Sequence, residues 1–103
     1  MENLSLEALL DLSLKKPIVA YFIVEWLGMC FVLDTYMKEM EASWQEQVSF
    51  HRFDTDLLDD WKDKFSIQNL PTTLLIRNGE IVYQFEGVRS KSLIESNIRD
   101  YLG

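Results

Sequence analysis

The stretch PIVAYFIVEWLGMC, Pro17 to Cys30, decides how the rest of the chain is read. Ile18 to Val24 is an unbroken apolar and β-branched run, the pattern of a strand covered on both faces. Then the period changes. From Met29 onward the apolar positions fall at Cys30, Leu33, Met37, Met40 and Trp44, which is helical spacing, with Lys38, Glu39 and Glu41 left for the wet side. The apolar run from Ile18 to Leu33 does not read as a membrane span, because Glu25 interrupts it and it falls short of the ~20 residues required.

Upstream, Leu4, Leu6, Leu9, Leu10 and Leu12 can share a helical face between Ser5 and Leu14, and Lys15-Lys16-Pro17 stops that helix. Downstream, QVSFHRFD (47–54) alternates through Val48 and Phe50, and its phase is ambiguous at Arg52 and Phe53. Leu57, Leu58, Trp61 and Phe65 predict a shorter helix, with Asp56 as its N-cap. Strand, helix and strand in this order favour a right-handed βαβ crossover. The second half changes grammar. TTLLIR and EIVYQFEG flank Asn78-Gly79, a strong hairpin signal because a type I′ turn needs positive φ at both central positions. Ser90 or Ser92 caps a last helix, the latter with Glu95 as a capping box, and Leu93, Ile94, Ile98, Tyr101 and Leu102 form its apolar stripe. The expected fold class is α/β: a mixed central sheet, βαβ unit plus β-hairpin and C-terminal helix, with helices on both faces. No repeat or linker composition divides the 103 residues, so one domain over 1–103 is expected.

Composition narrows the function. A formal net charge of -7 makes polyanions poor partners, which argues against nucleic acid and anionic membranes. One cysteine cannot close an intramolecular disulfide, and MENLSLEALLDL lacks the basic start and cleavage pattern of a signal peptide, so a cytoplasmic location is expected. His51 and Cys30 are the sole histidine and cysteine, too few for a structural zinc set. Asp54, Asp56, Asp59, Asp60 and Asp63 lack the glycine-centred calcium loop. No nucleotide fingerprint or phosphate-binding glycine loop is present, and neither a metal nor a cofactor is expected.

Four segments then act together: EWLGMC (25–30), NLPTTLLIRNGE (69–80), FEG ending at Gly87, and Ser90-Lys91. In a register that runs without gaps through all four, the chain resembles the thioredoxin family from about Lys16 to Leu102. EWLGMC is similar to that family's Trp-Cys-Gly-Pro-Cys motif, with Leu27 in place of the first cysteine and Met29 in place of the proline. The resemblance implies a thioredoxin-like fold and a cis Leu70–Pro71 bond. It also implies a peptide-facing surface at Trp26, Gly28, Met29, Leu70, Pro71, Glu86 and Gly87 that receives an extended segment. Trp26 taken alone reads equally well as a half-buried aromatic bracing the helix start. Tyr21 stands where the family keeps a buried acid and Arg52 near that acid's lysine partner, so the family's acid–base pair is not expected. Thr35 stands at a common helix-kinking proline. Glu86 replaces an apolar residue, a change that disfavours acidic or purely apolar partners.

Disulfide exchange by the standard route needs a thiolate to attack and a second thiol to expel the product. Leu27 cannot attack sulfur. The expectation is therefore a non-catalytic protein-binding or chaperone-like module, without classical disulfide reductase activity, whose partner is a protein or an extended peptide segment. The alternative is an atypical monothiol oxidoreductase or redox sensor in which Cys30, the one catalytic candidate, forms a mixed disulfide with glutathione, a client or another copy. A thiol about one turn into the helix, beneath Trp26 and Pro71, is expected to be poorly exposed.

Overall fold

The computed structural model describes residues 5–57 and 60–103. The elements are α1 (Leu6–Leu12), β1 (Ile18–Ile23), α2 (Gly28–Trp44), β2 (Ser49–Asp54), a 3-10 turn (Thr55–Leu57), α3 (Trp61–Phe65), β3 (Thr72–Arg77), β4 (Glu80–Glu86) and α4 (Lys91–Leu102). The strands form one mixed sheet in the order β2-β1-β3-β4, with β1 parallel to β2 and antiparallel to β3, and β3–β4 as the hairpin.

The unbroken apolar run of β1 is explained by its place between β2 and β3: every one of its residues is buried. Successive side chains serve opposite faces. Val19, Tyr21 and Ile23 pack with Cys30, Leu33, Met37 and Met40 of α2 and with Ile94, Ile98 and Leu102 of α4. Ile18, Ala20 and Phe22 meet Leu9 of α1 and Phe65 of α3 on the other face. Helices thus cover both faces, as expected. The ambiguous phase of β2 is settled by the second core, where Phe22 stacks on Phe53 at 4.8 Å and meets Phe65 at 4.7 Å between ring centroids. That commits Arg52, one residue earlier, to the α2 side of the sheet.

Three local expectations are corrected. First, α1 ends at Leu12, and Leu12 is exposed, not part of the packed face. Ser13 takes over there: its hydroxyl donates to the Leu10 carbonyl at 2.6 Å, its Oγ accepts from Gly79 N at 2.8 Å and its carbonyl accepts from Asn78 N at 3.2 Å. Leu4 lies outside the described residues. Second, the short helix does not begin at Asp56. Asp54 Oδ1 accepts the Asp56 N–H at 3.0 Å and holds the 3-10 turn, while α3 opens after Asp60 in the left-handed conformation (φ 54°). Leu57 is exposed, and Leu58 and Asp59 lie outside the described residues. Third, in the apolar stripe of α4 Leu93 and Tyr101 are exposed instead of packed in the core, Tyr101 stacking on Tyr83 at 4.5 Å; of the two caps offered for this helix, Ser90 is the one used, accepting from Leu93 N at 3.3 Å, and Ser92 lies inside the helix.

The Asn78–Gly79 turn has positive φ at both positions, 52° and 83°, as the hairpin chemistry requires. Among the described residues no helix is long and apolar enough to cross a membrane.

Candidate functional site

The end of β1 delivers the chain into a turn in which Leu27 N donates to the Val24 carbonyl at 3.3 Å, and α2 starts one residue later. Leu27 is the N-cap of α2. It offers no side-chain acceptor, although its carbonyl receives Cys30 N at 3.1 Å and Phe31 N at 3.2 Å. Cys30, in the first turn, is 0% exposed within the α2-side core, and its Sγ accepts the Val24 N–H at 3.5 Å. The thiol therefore points inward.

Its neighbours point outward. Trp26 is 74% exposed, so the bracing role weighed for it is not the one it has. Met29 and Phe31 are also exposed, and a Cβ on Gly28 would meet open space. Facing this turn is the loop with the cis Leu70–Pro71 bond. Gly87 N donates to the Pro71 carbonyl at 2.8 Å and ties the end of β4 to that loop, and the left-handed φ of Gly87, 81°, is one that a side chain would strain. Met29 Cε lies 4.0 Å from where a Gly87 Cβ would stand. Met29, Pro71 and Gly87 are therefore contiguous, with Leu70 and Glu86 as their chain neighbours and Trp26 and Gly28 in the turn on the α2 side. Glu86 is exposed, and Asn69 Nδ2 donates to both of its carboxylate oxygens at 3.2 Å.

Sequence reasoning missed Asp34. This carboxylate is buried on α2, where its Oδ1 accepts from the Tyr21 hydroxyl at 3.0 Å and from Arg52 Nε at 3.1 Å; Lys38 lies 3.3 Å from Oδ2. Arg52 also reaches Glu25 at 3.5 Å. An acid is thus present, supplied by α2 instead of β1, but three donors occupy it. Burial first, and then the adjacent Asp34 carboxylate, push the Tyr21 phenol well above its ordinary range, so it stays protonated. For Arg52, burial opposes the charge, and the Asp34 carboxylate together with Tyr21 and Glu25 outweighs it, raising the pKa. A depression of about 300 Å³ opens beside this network between Glu25, Phe31 and Lys38. The signal that could have found Asp34 is its spacing, four residues after Cys30 and three before Met37, which puts it on the edge of the buried stripe. Among the described residues no group of His, Cys, Asp or Glu is arranged to hold a metal ion.

A mixed β2-β1-β3-β4 sheet, with a cysteine in the first turn of α2 and a cis-proline loop against that turn, defines an α/β protein of the thioredoxin-like fold class. The family model described as Thioredoxin matches residues 6–100, and the chain belongs to the thioredoxin family. It is similar to the mitochondrial thioredoxin of Mus musculus, with 28% identity over 89 residues, 86% of this chain and 54% of that protein. It is also similar to a thioredoxin-like protein of Synechocystis (24% over 87 residues; 84% and 83% of the two chains). Thioredoxin Y1, chloroplastic, of Arabidopsis thaliana shows 26% identity over 87 residues, covering 84% of this chain and 51% of that one. The chain spans about half the length of the mouse and rat mitochondrial relatives that it matches. The family assignment and the single cysteine together fit a member without the nucleophilic thiol.

Proposed function

We propose that this chain is a protein-binding module that uses the peptide-facing surface of the thioredoxin fold and not its disulfide chemistry. The observation that carries this reading is the pairing of Leu27, at the N-cap of α2, with a sole thiol that is fully buried. Sulfur exchange needs an attacking thiolate in contact with the substrate and a second thiol to release it. A leucine fills the first role's place, and the one thiol of the chain, Cys30, is buried and cannot both attack and release. What remains is a surface. Trp26 and Met29 supply exposed apolar area, Gly28 permits close approach of another backbone, and Leu70, Glu86 and Gly87, backed by the buried Pro71, form the opposing wall. An extended segment, from a client or an assembly partner, suits such a wall because main-chain groups and alternate side chains can both be read along it. A single free cysteine also fits a reducing compartment such as the cytoplasm.

The competing reading, monothiol chemistry at Cys30, draws on the names of the relatives, and the burial of the thiol speaks against it. Two measurements separate the readings. A thiol-reactive dye is expected to label Cys30 only after denaturant is added, and the purified protein is expected not to catalyse insulin reduction by dithiothreitol. Rapid labelling of the native protein together with insulin turnover that disappears in Cys30→Ser would overturn the binding-module reading.

A further inference from the structure

The charge balance around this surface is one-sided. Glu86 forms the end of β4, paired with Thr72, and its neighbour Gly87 is bonded to Pro71, so its carboxylate belongs to the same wall as the cis-proline loop. Only the neutral amide of Asn69 holds it, and among the described residues no cation pairs with it. Glu25, on the other side, is exposed and shares Arg52 with Asp34. The cations that border the surface are engaged elsewhere. Arg89 lies 4.5 Å over the Phe85 ring and donates to the Tyr83 hydroxyl at 2.6 Å, and Lys91 pairs with Glu39 at 2.9 Å. The wall thus presents an oriented, unneutralised carboxylate one residue before Gly87, the position that the exposed Met29 approaches.

Building on the peptide-facing reading above, we propose that the partner is an extended protein segment that places a lysine or arginine against Glu86 and an apolar residue on Trp26 and Met29. Side chains two apart on an extended segment share a face at a spacing of ~7 Å, so one cation and one anchor suffice. A carboxylate fixed by its neighbour and edged by apolar surface rewards a cation and penalises an anion, since desolvating it without a counter-charge is costly. The net charge of -7 reinforces the same preference during encounter.

The test uses three fluorescein-labelled probes of one backbone: Gly-Ser-Lys-Leu-Phe-Lys-Ser-Gly, the same peptide with both lysines changed to serine, and the same with both changed to glutamate. Fluorescence anisotropy with the full chain is expected to show the lysine probe binding about tenfold more tightly than the glutamate probe. Glu86→Gln should reduce that ratio to about twofold, while Asp100→Asn, an equal charge change on the exposed side of α4, should leave it in place. A ratio that Glu86→Gln and Asp100→Asn alter equally would overturn the assignment to Glu86, as would three probes of equal affinity. The underlying surface reading fails separately. It is overturned if no probe binds, or if binding of the serine probe is unaffected by Trp26→Ala.

Discussion

Replacing Asp34 by alanine should expose how much the unexpected polar network contributes to stability. The variant removes the acceptor of the Tyr21 hydroxyl, which then sits buried with no partner, a loss of about 1–3 kcal/mol. The ion pairs add less. The Arg52 side chain is 33% exposed and that of Lys38 65% exposed, so water screens both, and their joint contribution is about 0.5–1 kcal/mol. The expected total is about 1.5–4 kcal/mol, or a fall in Tm of roughly 6–32 °C for a domain of this size. Tyr21→Phe should cost only about 1 kcal/mol, because Asp34 keeps Arg52 and Lys38. In the double variant the orphaned hydroxyl no longer exists, so the two losses should fall short of additivity by about 1 kcal/mol. Equilibrium urea unfolding of the four proteins, followed by tryptophan emission and far-ultraviolet circular dichroism, measures each term. If Asp34→Ala stays within about 0.5 kcal/mol of the wild type, or the single losses simply add, the buried acceptor is not what holds this side of α2 to the sheet.

Two further outcomes follow from the same geometry. The unfolded chain releases the Tyr21 proton near pH ~10 while the folded chain retains it, so this contribution is whole below that pH and declines as pH rises above it. Absorbance at 295 nm near pH ~11 should count fewer ionised phenols in the native than in the denatured protein, with the difference gone in Tyr21→Phe; coincident curves would contradict the burial argument. Leu27→Cys places a thiol at the helix N-terminus, where a thiolate is stabilised, and in the first turn with Cys30. That variant should form an intramolecular disulfide under air and gain insulin reduction, and failure to form the bond would show that more than one missing sulfur separates this chain from a working exchanger.

Most of the scaffold was legible because its signals are redundant. The β1 run, the α2 stripe from Cys30 to Met40 and the Asn78–Gly79 turn each impose one geometry, and that geometry brings Met29, Pro71 and Gly87 together. The misses have local causes. Asp34 reads as one more solvated helix charge until a strand residue with a hydroxyl, Tyr21, and a strand cation, Arg52, are brought opposite it by long-range pairing of β1 with β2. Leu12 and Leu57 look like core positions by periodicity, but each stands where its helix or turn runs out beyond the sheet. The exposure of Trp26 was open for the same reason: composition cannot say which side of a turn an aromatic ring leaves by.

Ser13 has a consequence for how the molecule can be handled. Because Ile18 pairs with Ile76 and Phe22 with Thr72, the hairpin turn clasped by Ser13 lies at the opposite pole from the cis-proline loop, roughly 20 Å away along the strands. A dye, an affinity handle or a surface tether attached to the outer side of α1 would load the clasped pole and leave the tryptophan-bearing pole unobstructed. Immobilised in that orientation, every copy would offer the same face to whatever is passed over it.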